Sequence, residues 1–153
     1  MGLLDWLFRA NKNNADGKES APLAFEKNEE EFHGLNMKSA IDAHLKWKER
    51  LENELIRSSG EQLDVRRVAG DTHCELGRWL HGEGKRRFSE VQEYKDLIKS
   101  HVEFHLFAGE LLATIRAGDT EVAQNRLRSE FRRKSDRVQL DLVRLYAAIH
   151  RGG

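Results

Sequence analysis

A single cysteine among 153 residues means that no intramolecular disulfide can brace the chain. A lone thiol suits a reducing compartment and has to be judged as a ligand or a reactive group. There is also only one proline. A backbone so rarely interrupted favours long helices over a turn-rich β fold. Neither sign of charge is in excess: 26 Lys and Arg balance 26 Asp and Glu, so nothing in the charge points to a nucleic-acid binder. No apolar run approaches the roughly 20 residues that span a bilayer. The start lacks the charged n-region, longer apolar core and small-residue cleavage site of a signal peptide. At this length the chain holds one domain, or one with an appendage, which excludes an eight-stranded α/β barrel of about 250 residues. Hydrophobic residues make up 39%, enough for a modest core only if they are well aligned.

The most apolar stretch is Met1-Gly-Leu-Leu-Asp-Trp-Leu-Phe8. Trp6 stands where a myristoylation motif wants Ser or Thr. A polar, unpatterned segment follows, so residues 1–36 read as a short apolar peptide on a flexible tether. The peptide is either a frayed terminus or a docking element for a partner or a membrane surface. Residues 37–150 read as the folded domain.

Helical periodicity starts at Met37. Met37, Ile41, His44, Lys48, Leu51 and Leu55 form one seam, closed by Ser58-Ser59-Gly60. A short helix is expected from about Glu61 to Ala69. Another opens at Gly70-Asp71-Thr72, with Asp71 or Thr72 as N-cap, and stops in the loop His81–Gly84. Val91, Tyr94, Ile98, His101, His105, Ala108, Leu112 and Ile115 step by threes and fours, and Ala117-Gly118-Asp119 closes that helix. Leu127, Phe131, Ser135, Val138, Leu142, Leu145 and Ile149 form the last seam. The expected fold is all-α: a four-helix bundle of three long helices with one or two short ones.

Three seam positions carry histidine. An imidazole buried without a partner costs roughly 1–3 kcal/mol, so three aimed inward call for a common partner. His101 and His105, four apart on one helix, can converge on one ion, and His44 can face them. Cys74 lies at the start of a short helix, where the helix terminus and a cation both favour the thiolate. Three imidazoles and a thiolate make a closed tetrahedral set of the kind zinc takes. The second ring nitrogens need acceptors, for which Asp71 and Glu75 are candidates. Trp47 and Trp79 are expected to pack the core and to shield the site. Gly77 is expected to permit close helix approach. The basic run from Arg126 to Arg137 reads as a solvated outer face, and Ser135 as a residue able to fix register at a dimer interface.

His44-Leu-Lys-Trp47, Cys74-Glu-Leu-Gly-Arg-Trp-Leu80 and His101-Val-Glu-Phe-His105 resemble the chemoreceptor zinc-binding (CZB) domain family over roughly residues 37–150. Arg78 replaces the family's usual lysine, and His81 stands near its usual tyrosine. Asp71 also looks like a family position. The resemblance implies His44, Cys74, His101 and His105 as ligands of one zinc ion per subunit. It further implies a homodimer, and a cytoplasmic sensor of zinc or of oxidants such as hypochlorous acid acting through Cys74. No cyclase or chemoreceptor signalling region fits outside the domain. The expectation is therefore a stand-alone, non-enzymatic module acting through a partner in a chemoreceptor or diguanylate cyclase pathway. Two other readings compete. One is a structural zinc clip in an adaptor. The other is a hemerythrin-like di-iron protein, in which Glu110 would stand near His105; such a centre wants more histidines and carboxylates than these seams supply.

Overall fold

The computed structural model describes residues 31–56 and 63–151. The expected apolar peptide Met1–Phe8, the stop at Ser58–Gly60 and the helix start at Glu61 lie outside the described residues. The described chain enters as a small hairpin, β1 (Glu31–Phe32) antiparallel to β2 (Leu35–Asn36). His33 and Gly34 both have positive φ, 47° and 87°, as a tight two-residue hairpin turn requires. Phe32 and Leu35, which the sequence reading assigned to the tether, are buried in the core.

Asn36 accepts the Ser39 amide through Oδ1 at 2.8 Å and so caps α1 (Met37–Ile56). The buried stripe of α1 runs Met37, Ala40, Ile41, His44, Trp47 and Leu51. The expected seam passed through Lys48, but that side chain is exposed and pairs with Glu52. Trp47, one position away, takes the core position with its larger apolar surface. Asp64 caps α2 (Val65–Ala69), accepting the amides of Arg66 and Arg67. Two short helices follow, α3 (Glu75–His81) and α4 (Glu83–Phe88). The expected loop at His81–Gly84 is thus a single-residue break at Gly82. Gly84 lies so close to the Trp79 ring that a Cβ there would stand 2.8 Å from it.

The long helix α5 (Gln92–Arg116) ends at Ala117–Gly118, where Gly118 takes φ 90°. It is the centre of the bundle. Its buried face extends beyond the expected seam to Leu97, Phe104, Phe107 and Leu111, because α7 and α2 pack on it from two sides. The final segment is two helices, α6 (Thr120–Arg128) and α7 (Glu130–Arg151), turned at Ser129, whose hydroxyl and amide both donate to the Asn125 carbonyl. Seven helices, three of them long, make an all-α bundle among the described residues. None of them is long and apolar enough to cross a membrane.

Candidate metal centre

Four side chains from three helices meet at the middle of the bundle. His44 is on α1, and His101 and His105 are on successive turns of α5. Cys74 is the residue that caps α3. Neither Asp71 nor Thr72 caps this helix as expected; the Cys74 sulfur does so itself, accepting the Gly77 amide at 3.2 Å. Gly77 makes this possible. A Cβ there would lie 1.8 Å from the Asp71 carbonyl oxygen, so only glycine lets the 71–74 loop fold onto the first turn of α3. The close approach that Gly77 allows is therefore to a loop, not to a second helix.

The donor atoms of His44, Cys74, His101 and His105 all lie within 4.8 Å of one another. The Cys74 sulfur stands 3.2 Å from His101 Nε2, 3.5 Å from His105 Nε2 and 3.9 Å from His44 Nε2. The Nε2 atoms of His101 and His105 are 3.1 Å apart. A tetrahedron with ordinary zinc bond lengths has edges of about 3.4 Å between nitrogens and about 3.6 Å between nitrogen and sulfur. These four edges already come within about 0.4 Å of those lengths, and the donor set is of the chemistry the ion takes.

The protonation states fit as well. Burial, with the neighbouring His105 ring, pushes His44 down to about 3. Burial and the surrounding rings push His101 down to about 2. His105 is lowered by burial, against the opposing pull of the Val68 carbonyl and Asp71. All three rings are therefore neutral at physiological pH, the state a metal needs. Burial raises the Cys74 thiol above its usual value, against the lowering effect of the Gly77 amide and Arg78.

The outer ring nitrogens differ. His105 Nδ1 donates to the Val68 carbonyl at 2.9 Å, which fixes its tautomer and turns the Nε2 lone pair into the cage. The Nδ1 atoms of His44 and His101 are buried and have no hydrogen-bond partner among the described residues. The carboxylates expected to support the rings are engaged elsewhere. Asp71 pairs with His81 at 2.7 Å, and Glu75 accepts the Ser39 hydroxyl at 2.6 Å. The acceptor found instead is backbone, and Gly109 brings it there. A Cβ on Gly109 would stand 2.6 Å from Ala69 Cβ, so the missing side chain seats α2 directly on α5, one turn beyond His105. Gly109→Ala is expected to push α2 outward, break the Val68–His105 hydrogen bond and weaken zinc affinity about tenfold, as read by competition with a chromophoric chelator.

The tryptophans are both buried but placed differently. Trp47 stands edge-on to His105, with centroids 6.1 Å apart. Trp79 packs with Phe32 and Phe88, its indole N–H donating to the His33 carbonyl. Ser135 is buried and receives a hydrogen bond from Gln139 on its own helix. Glu110, a conceivable carboxylate ligand for a di-iron centre, is exposed and pairs with Arg126. Among the described residues no other group of histidine, cysteine and carboxylate side chains converges as these four do. Residues 44–112, from the first of these ligand candidates to just past the last, match the family model of the chemoreceptor zinc-binding domain. No curated protein and no solved structure matches the chain.

Proposed function

Taking residues 44–112 as a zinc-binding regulatory domain, we propose that His44, Cys74, His101 and His105 hold one zinc ion per chain and that loss of the Cys74 sulfur as a ligand is the signal. The observation that carries this reading is the convergence of four suitable donor atoms within 4.8 Å from three separate helices. A bound zinc ion would keep the sulfur as thiolate and tie α1, α3 and α5 together. Four protein ligands leave no open coordination position, so the reading is regulatory and not hydrolytic.

One observation favours a switch over a permanent clip. Ligating imidazoles ordinarily donate their outer N–H to an acceptor, and such support is worth about 10–100-fold in metal affinity per partner. Among the described residues only His105 has a protein acceptor; the buried Nδ1 atoms of His44 and His101 have none. A centre whose protein support is at one ring of three is expected to hold its metal less firmly than one with protein acceptors at all three. Oxidation acts on the sulfur. Hypochlorous acid transfers chlorine to the thiolate with loss of hydroxide, and water then displaces chloride to give the sulfenic acid. Once the ion leaves with that ligand, His44 no longer anchors α1 to α5, and the movement of α1 is the output, read by a second copy of the chain and by a partner in a chemoreceptor or diguanylate cyclase pathway. Elemental analysis before and after stoichiometric hypochlorous acid tests this, with Cys74→Ala alongside. The expected result is one zinc per chain, released on oxidation and weakly held in the variant. Zinc retained by oxidised protein would make the centre a structural clip. No zinc, or two irons, would overturn the site.

A further inference from the structure

Three of the four ligand candidates stand on long helices: His44 on one of 20 residues, His101 and His105 on one of 25. All three are at most 2% exposed. Cys74 differs. It precedes a helix of only 7 residues, and its half-buried side chain opens onto a cavity of about 590 Å³ between α1 and α2. The segment that carries it, residues 71–74, runs back alongside α3 and is held to it at three points. The Cys74 sulfur accepts the Gly77 amide at 3.2 Å. The Arg78 guanidinium donates through Nη1 to the His73 carbonyl at 2.8 Å. His81 Nε2 donates to Asp71 Oδ2 at 2.7 Å. Arg78 and His81 are three residues apart, so one face of α3 makes both side-chain contacts, to the residues one and three before the cysteine.

We propose that Arg78 and His81 are positioning residues that clasp the Cys74 segment to α3 and so set how long the sulfur stays in the cage. The effect on the metal rests on the zinc–thiolate reading, whereas the clasp itself belongs to the folded chain. Segments with few buried contacts open locally without global unfolding. A cysteine in such a segment can swing off an ion while histidines fixed in the bundle stay. The two contacts oppose that opening by holding the segment in the conformation the cage needs, so less freedom is lost when the sulfur binds. Each is modest alone, because a contact at a partly exposed site gains little over water: the His81 side chain is 41% exposed and that of Asp71 21%. Both act on one short segment, and that segment holds the ligand that oxidation removes. Asp71 thus supports the centre through the backbone of Cys74, not through a ring nitrogen.

Chelator-driven zinc release from the full-length protein tests the clasp. His81→Leu and Arg78→Met are each expected to speed release about threefold, and the double variant about tenfold. His81→Gln, which keeps a side-chain N–H for Asp71, is expected to release zinc at the wild-type rate. Arg87→Met, which breaks a surface ion pair with Glu83 on the neighbouring helix α4, is expected to leave the rate unchanged. Cobalt in place of zinc gives a readout that a general loss of stability would not move. Its sulfur-to-metal charge-transfer band is expected to weaken in His81→Leu and the double variant and to keep its wild-type form in His81→Gln. In the metal-free protein the Gly77 amide, which donates to the sulfur, is expected to exchange with deuterium about tenfold faster in the double variant. A wild-type release rate or an unmoved cobalt band in the double variant would each overturn the clasp. So would His81→Gln as fast as His81→Leu, or equal acceleration by Arg87→Met. A chain that takes up neither zinc nor cobalt would remove the metal reading, and the Gly77 amide then decides: faster exchange in the double variant retains the clasp, and unchanged exchange overturns it.

Discussion

Stripping the zinc with a strong chelator is expected to cost the protein about 4 kcal/mol of unfolding free energy when free zinc had stood about a thousandfold above its dissociation constant. In a domain of this size that is a fall in melting temperature of on the order of 10–20 °C. The size of the effect follows from what the cage contains without an ion. His105 must carry its proton on Nδ1 to meet the Val68 carbonyl, so its Nε2 is a bare acceptor facing His101 Nε2 at 3.1 Å. One hydrogen bond can form there, from His101 to His105, whereas the outer Nδ1 of His101 has no partner among the described residues whether or not an ion is held. Among the described residues His44 Nε2 has only the sulfur, at 3.9 Å. Each unmet buried polar group costs about 1–3 kcal/mol, and an ion satisfies all four inward donors at once. Thermal unfolding with and without chelator measures the difference. His101→Ala is expected to melt at the same temperature in both conditions, because it removes the ligand closest to the sulfur. A wild-type curve indifferent to chelation would mean that the metal contributes nothing to the fold.

The three histidines were legible because steps of three and four residues placed polar rings on otherwise apolar seams, a conflict that a shared ion resolves. The helices around them were legible for the same reason: Met37–Ile56 and Gln92–Arg116 lie close to where the periodicity puts them. The breaks at Gly82 and Ser129 were harder to see. Neither carries proline, and Leu127 and Phe131 fall on one seam whether the backbone between them is straight or turned. Lys48 and Trp47 are neighbours near the edge of the α1 stripe, where one residue's rotation decides burial and side-chain chemistry outweighs strict spacing.

What escaped sequence reading at the site is mostly backbone. Capping rules rank Asp and Thr well above cysteine, so Asp71 and Thr72 were the natural candidates, and nothing in the motif shows that the Cys74 sulfur accepts the Gly77 amide. A search for acceptors among side chains points to Asp71 and Glu75. It cannot register the Val68 carbonyl, which every residue type offers equally. A signal was present in Gly109, four residues after His105 on a buried helix face, where a missing side chain marks the close approach of another backbone. The cavity over Cys74 is a further case. Trp47, Arg50, Arg67 and His73 come together only through the placement of α2 against α1, and no spacing along the chain announces it.

Zinc uptake at pH 7 is expected to release one proton per ion, and the affinity to rise about tenfold per pH unit through the neutral range. The lowered pKa values of His44 (about 3) and His101 (about 2), with His105 lowered in the same direction, mean that the rings are already neutral and give up nothing. The buried thiol is raised above its usual value, so it holds its proton at neutral pH and must lose it to bind. The slope therefore continues up to the pKa of the thiol and does not level off near 6.5, as it would for a site limited by ordinary histidines. The ion-free fold has its own acid limit. Because all three rings have folded-state values below that of the unfolded chain, their contribution to stability is present above about pH 6.5 and is lost as the pH falls toward the lowered values. Calorimetric titration of zinc in buffers of different ionisation enthalpy counts the protons, and Cys74→Ala is expected to bring the count to zero along with a weaker affinity. Two or more protons released at pH 7 would mean that the imidazoles are charged before zinc arrives, and none would mean that the sulfur is either already a thiolate or not a ligand.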